Sequence, residues 1–154
     1  MLRAIQKFFE QNISADQADD IEHKLKLATA ALLIEMMQQD HHVHAEEKQQ
    51  IKTVLMKKFA LTEDEADSLF NLAEAEASDA TDYHQFTSLI NQHYTQQQKI
   101  KVIEYLWSIA YADQHLDAYE EHMVRRIADL IYVSHKDFMQ TKHRAQTALN
   151  DEKE

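Results

Sequence analysis

Apolar residues along this chain recur at the three- and four-residue spacing of amphipathic helices. Leu2, Ile5, Phe8 and Phe9 form a first short stripe, flanked by Arg3 and Lys7, which ends at the polar break Asn12-Ile13-Ser14. Ser14 with Gln17 reads as a capping box that opens a long second helix. From Leu25 to Met37 that helix is almost continuously apolar, which predicts a buried central rod ending near Asp40. A third helix, starting at His44 or Ala45, carries Ile51, Val54, Leu55 and Phe59 on one face. Thr62 with Glu65 opens a fourth, Asp82 to Ile90 makes a fifth, and Thr95 with Gln98 opens a sixth that stops near Asp113. Asp117 with Glu120 begins a seventh, and Ser134 with Asp137 begins a last helix that frays into the charged end 150–154.

Composition sharpens this picture. Glycine and proline are absent from all 154 residues, and a sheet protein needs such residues at its hairpins. The expected fold is therefore all-α, a compact bundle of seven to eight helices. Its parts are an N-terminal amphipathic helix (1–12), one helical domain (13–150) and a disordered tail (151–154). With no cysteine, disulfide and thiolate chemistry are excluded, which fits a reducing, cytosolic setting. The formal charge of −11 disfavours nucleic acid and favours cations or basic partners.

Two stretches echo each other, IEMMQQDHHVHAEE at 34–47 and WSIAYADQHLDAYE at 107–120. An offset of 73 positions pairs Leu33 with Leu106, Asp40 with Asp113, His42 with His115, Ala45 with Ala118, Glu47 with Glu120 and Asp64 with Asp137. It also pairs Ile51 with Val124, Val54 with Ile127 and Phe59 with Tyr132. The expectation is an internal duplication of a helix-corner-helix unit.

In each unit an Asp at the end of one helix is followed seven residues on by a Glu in the first turn of the next. A tight corner would bring Asp40 and Glu47, and Asp113 and Glu120, toward common points, as Ca²⁺ or Mg²⁺ requires of its oxygen ligands. The spacing is too short for an EF-hand loop. The competing reading is capping, because Asp117 with Glu120 is already a complete capping box. His41, His42, His44, His115 and His122 lie near the same corners, and imidazoles with carboxylates suit Zn²⁺. Trp107, Tyr111 and Tyr83 read as core aromatics. Lys136, Lys142, His143 and Arg144 form a basic run that reads first as a solvated face and second as a grip for an acidic partner. No nucleophile with its base can be singled out, and without glycine no phosphate loop is possible, so the chain is not expected to be an enzyme. The N-terminal stripe reads first as a core-facing helix and second as a peripheral membrane contact.

The corners DHHVHAEE and DQHLDAYEEHMVRRIADL, the phrase TDYHQFTSLI and the ending VSHKDFMQTKHRA together resemble the tellurite-resistance TerB-like family, in its stand-alone bacterial branch. The resemblance runs from about Leu25 to Ala145. It implies an all-helical, non-enzymatic domain linked to tellurite and other chemical stress. Its acidic residues, here Asp40, Glu47, Asp113 and Glu120, would hold a divalent cation, and its surface would engage an unidentified protein partner. The alternative is a structural interaction module whose corners are only helix caps. Where the family has glycine after each Asp, this chain has His41 and Gln114. A side chain at a left-handed position costs roughly 1 kcal/mol, so the resemblance implies reshaped corners.

Overall fold

In a computed structural model, the described residues are 6–13, 21–39, 45–78, 85–111 and 118–153. They form eight helices: α1 (6–13), α2 (Ile21–Gln39), α3 (Ala45–Phe59), α4 (Glu63–Ser78), α5 (Gln85–His93), α6 (Gln96–Ala110), α7 (Ala118–Leu130) and α8 (His135–Lys153). No strand occurs among the described residues. The all-α expectation thus holds.

α2 is the central rod. Leu25, Leu27, Ala28, Ala30, Ala31, Leu32, Ile34 and Met36 are all buried, because α2 packs against α1 and against each of α3 to α7. A helix walled in on every side is apolar all round, which is what its sequence shows. α6 is the second axis, packed on α2, α3, α7 and α8, and buries Val102, Ile103, Leu106 and Trp107.

Helix starts follow local side-chain chemistry. The Thr62 and Glu65 side chains exchange hydrogen bonds with each other's backbone amides (2.9 and 3.1 Å), and Thr95 and Gln98 do the same (2.9 and 3.2 Å). The Ser134 hydroxyl accepts from the Asp137 amide at 3.2 Å. The expected Ser14–Gln17 and Asp117–Glu120 caps lie outside the described residues.

Helix ends show what the lack of glycine costs. α7 closes with the Val133 amide donating to the Ala128 carbonyl (2.8 Å) and the Tyr132 amide donating to that of Asp129 (3.2 Å), which sets Tyr132 at φ 62°. Ala60, just after α3, has φ 56°. Glycine would take either position without the strain of a Cβ, which costs roughly 1–2 kcal/mol.

Three expectations need correction. α1 runs through Asn12 and Ile13, which belong to a π-helical turn Phe9–Ile13, so these two residues do not break it. Residues 151–153, expected in a disordered tail, continue α8, whose Ala, Leu, Gln, Glu and Lys residues contain nothing that stops a helix. The constant 73-residue offset also fails. It relates the starts of α3 and α7, Ala45 and Ala118, but their left-handed ends, Ala60 and Tyr132, lie 72 apart. α7 is one residue shorter over this interval. Phe59 is consequently 2% exposed whereas Tyr132 is 73% exposed, and the buried counterpart of Phe59 is Ile131. Likewise Leu61 corresponds to Val133, and the capping Thr62 to the capping Ser134. These are likenesses of layout between the two helix pairs.

The N-terminal stripe faces the domain. Phe9 is buried against His93 and Tyr94, and Phe8 meets Phe86 edge-on. Leu2 and Ile5 lie outside the described residues. No described helix is long and apolar enough to cross a membrane.

Candidate cation-binding corners

Asp40 and Asp113 lie outside the described residues, as do His41, His42, His44, His115, Asp117 and Tyr83. Glu47 and Glu120 are placed by their backbones: each is the third residue of its helix, α3 and α7. Their side chains are outside the description. The first turn of a helix exposes unpaired amides and the positive end of the helix dipole, which favours carboxylates there. Among the described residues, no three or more His, Asp or Glu side chains gather to hold a metal ion. His122 is exposed on α7.

The described surroundings of the corners are distinct. Beside the α6–α7 corner, Trp107 and Tyr111 share one face of α6, their rings stacked at 5.9 Å and 25°. Phe138 of α8 packs on the indole at 5.2 Å. Lys142 of α8 places its ammonium 5.5 Å from the centre of the indole ring and pairs with Glu121 of α7 at 2.6 Å. Trp107 Nε1 and the Tyr111 hydroxyl are buried without a hydrogen-bond partner. Burial pushes the Tyr111 hydroxyl above the ordinary phenol value; Lys142 draws it down and Glu121 pushes it up, so both charges reach the oxygen.

At the α2–α3 corner the polarity of the staple is reversed. Lys48, next to Glu47 on α3, pairs with Glu74 of α4 at 3.0 Å and lies 5.1 Å from the centre of the Phe70 ring. Glu121 stands next to Glu120 on α7 and takes its cation from α8.

Several polar groups acquire roles that spacing did not reveal. Glu35, 1% exposed in the C-terminal part of α2, accepts from the amides of Phe86 (2.9 Å) and Thr87 (3.4 Å) and from the Thr87 hydroxyl (3.0 Å). It thereby caps α5 from a distant helix; its signal in the sequence was a single carboxylate inside the apolar run from Leu25 to Met37. Glu65, besides capping α4, meets His23 of α2 at 2.9 Å. Burial raises its pKa, but the Thr62 amide and His23 outweigh that and leave the carboxyl below its ordinary value. The basic run does not form a free patch, because Lys142 pairs with Glu121 and Arg144 with Glu104 (3.4 Å).

The donor set near the α6–α7 corner suits an oxygen-ligated cation indirectly. An indole N–H can only donate, so it meets an oxygen and never the metal, while a phenol hydroxyl can donate to a metal-bound carboxylate or water. A sequence profile of the family described as "Tellurite resistance protein TerB" matches residues 26–143, from α2 into α8. No curated protein and no solved structure matches the chain significantly.

Proposed function

Because the chain belongs to the TerB family of tellurite resistance proteins, whose profile covers most of its length, we propose that it is a non-enzymatic module of the tellurite-resistance type whose acidic corners bind a divalent cation. Asp40 with Glu47 and Asp113 with Glu120 would supply the carboxylate oxygens, completed by water or backbone carbonyls. The observation that carries this reading is positional. Glu47 and Glu120 occupy the same place, third in α3 and third in α7, each seven residues after an Asp that follows a helix of the central pair.

The test is calorimetric titration of the full chain with Ca²⁺, Mg²⁺ and Zn²⁺, each alone. Asp113→Asn combined with Glu120→Gln should remove the heat of binding at that corner and leave the helical circular dichroism intact. Undiminished binding to the double variant would refute the assignment.

A second reading, an interaction module with capped corners, is favoured by one observation. The spacing of Asp117 with Glu120, a capping residue followed three positions on by Glu or Gln, is realised with Thr in the first place as reciprocal caps at Thr62 with Glu65 and at Thr95 with Gln98. On this reading no cation raises the melting temperature, and Asp117→Ala costs about 1 kcal/mol as a lost cap.

A further inference from the structure

Tyr132 is 73% exposed, and Met139 is the only other large hydrophobic exposed among the described residues. Its backbone lies in the left-handed region at φ 62°, where a bulky side chain is an outlier that the surrounding structure has to hold. The closing turn does not itself ask for a ring, because α3 ends in the same left-handed step at Ala60, an exposed methyl. Two contacts fix the base of Tyr132 against the start of α6: Gln96 Nε2 donates to the Tyr132 carbonyl at 2.9 Å, and Asn91 Nδ2 donates to the Leu130 carbonyl at 3.0 Å. The ring stands on a rigid support.

Beside it is a lysine without a carboxylate. Lys99, 7% exposed, follows Gln96 by one turn on the same face of α6 and brings its ammonium 5.8 Å from the centre of the Tyr132 ring. It forms no ion pair with any described residue. In a chain with 27 Asp and Glu against 16 Lys and Arg, this sets it apart. Lys26, Lys52 and Lys142, whose side chains are also largely covered, have a carboxylate at 3.5, 2.9 and 2.6 Å respectively. Asp129, the one acidic residue of the closing turn, is exposed and does not neutralise Lys99. His135 and Lys136, exposed in the first turn of α8, add basic groups three and four residues after the ring.

We propose that the Tyr132 ring and the Lys99 ammonium form a docking point for an acidic segment of a partner protein, an Asp or Glu carboxylate pairing with Lys99 while the apolar side chain next to it lies on the ring. Tyrosine supplies rigid amphipathic contact area, which is why aromatic residues are enriched at interfaces. An ordinary surface ion pair contributes little because a free lysine loses its mobility on pairing; the stem of Lys99 is already ordered. Screening over about 8 Å at physiological ionic strength leaves a docked carboxylate under the influence of Lys99 and its neighbours more than of the overall charge of −11. A single nucleic-acid strand, with a base on the ring, is the competing occupant, and that overall charge disfavours its many phosphates. The site lies at the opposite end of the thirteen-residue α7 from the acidic corner, about 20 Å away, so it stands or falls independently of the cation reading.

The experiment follows the backbone amide resonances of the full chain by NMR during titration with an acetylated, amidated pentapeptide in which glutamate is flanked by leucine and phenylalanine. Its glutamine counterpart, inorganic phosphate and an eight-nucleotide oligothymidylate are titrated separately. The glutamate peptide should shift residues 96–99 and 129–133 in a saturable way, and the other three probes should not. Lys99→Met keeps the buried stem without the charge and should weaken binding roughly two- to fivefold, with Lys101→Met, an exposed lysine on the same helix, leaving it unchanged. Tyr132→Gly removes the ring and the backbone strain together, so affinity should fall about fivefold or more while the melting temperature holds or rises. A pair that serves only the fold gives no localised shifts, or shifts that are equal for the glutamate and glutamine peptides or survive Lys99→Met and Tyr132→Gly undiminished; each of these results overturns the proposal. Equal shifts from free phosphate, or shifts from the oligothymidylate in place of the peptide, overturn it as well.

Discussion

Replacing Glu35 by alanine tests the most demanding interaction in the core. The carboxylate is 1% exposed and joins the C-terminal part of α2 to the first turn of α5, across more than fifty residues of sequence. Alanine strips the Phe86 amide, the Thr87 amide and the Thr87 hydroxyl of this acceptor, in a place that water reaches only by disturbing the core. Hydrogen bonds to a charged group contribute roughly 1.5–3 kcal/mol each. The two shorter bonds, 2.9 and 3.0 Å, dominate, and the amide at 3.4 Å adds little. Allowing for partial relaxation, Glu35→Ala should destabilise by on the order of 3 kcal/mol, which for a chain of this size lowers Tm by roughly 6–12 °C. Melting and urea curves followed by circular dichroism measure the loss. Glu35→Gln keeps the shape and one acceptor oxygen and should fall between the two. Thr87→Ala in the Glu35→Ala background should cost less than in wild type, since the hydroxyl has already lost that acceptor. A loss under about 1 kcal/mol for Glu35→Ala would show that the carboxylate is not the cap of α5.

Ala60→Gly relieves the left-handed backbone after α3, where the side chain is an exposed methyl, and should raise stability by about 0.5–1 kcal/mol after the greater entropy of glycine in the unfolded chain; a lower melting temperature would contradict this. Glu65 has a folded-state pKa below its ordinary value of 4.5, so the stability it contributes is present above that pH and is lost as pH falls through the folded value. The stability gap between wild type and Glu65→Gln should accordingly be fully present above pH 4.5 and close in acid; a gap constant down to pH 3 would refute the assignment.

The helices were legible because helix formation is local. α2 shows its burial as a nearly continuous apolar run, and Thr62 and Thr95 announce their helices through partners three residues away. The left-handed ends were harder to read, since without glycine the positions fall to Ala60 and Tyr132, which carry no distinctive signal. The offset of 73 rests on identities clustered at the corners, and in the structure it relates only the starts of α3 and α7. The one-residue shortening of α7 is silent there and visible only in burial, where Ile131 takes the core place expected of Tyr132.

The sequence by itself determined an all-helical chain, its central rod, the positions of Glu47 and Glu120 in first turns, and a kinship carried by the corner motifs. Tertiary structure alone decided which polar groups meet. Glu35 finds the amides of α5, His23 finds Glu65, Lys142 turns from a basic surface run to Glu121 and the Trp107 ring, and the Tyr111 hydroxyl is buried facing no protein partner. The reason is physical. Helix caps and apolar stripes are set by residues three or four apart, whereas the partner of a buried charge or hydroxyl is chosen by how whole helices pack, and the spacing of residues along one helix does not encode that choice.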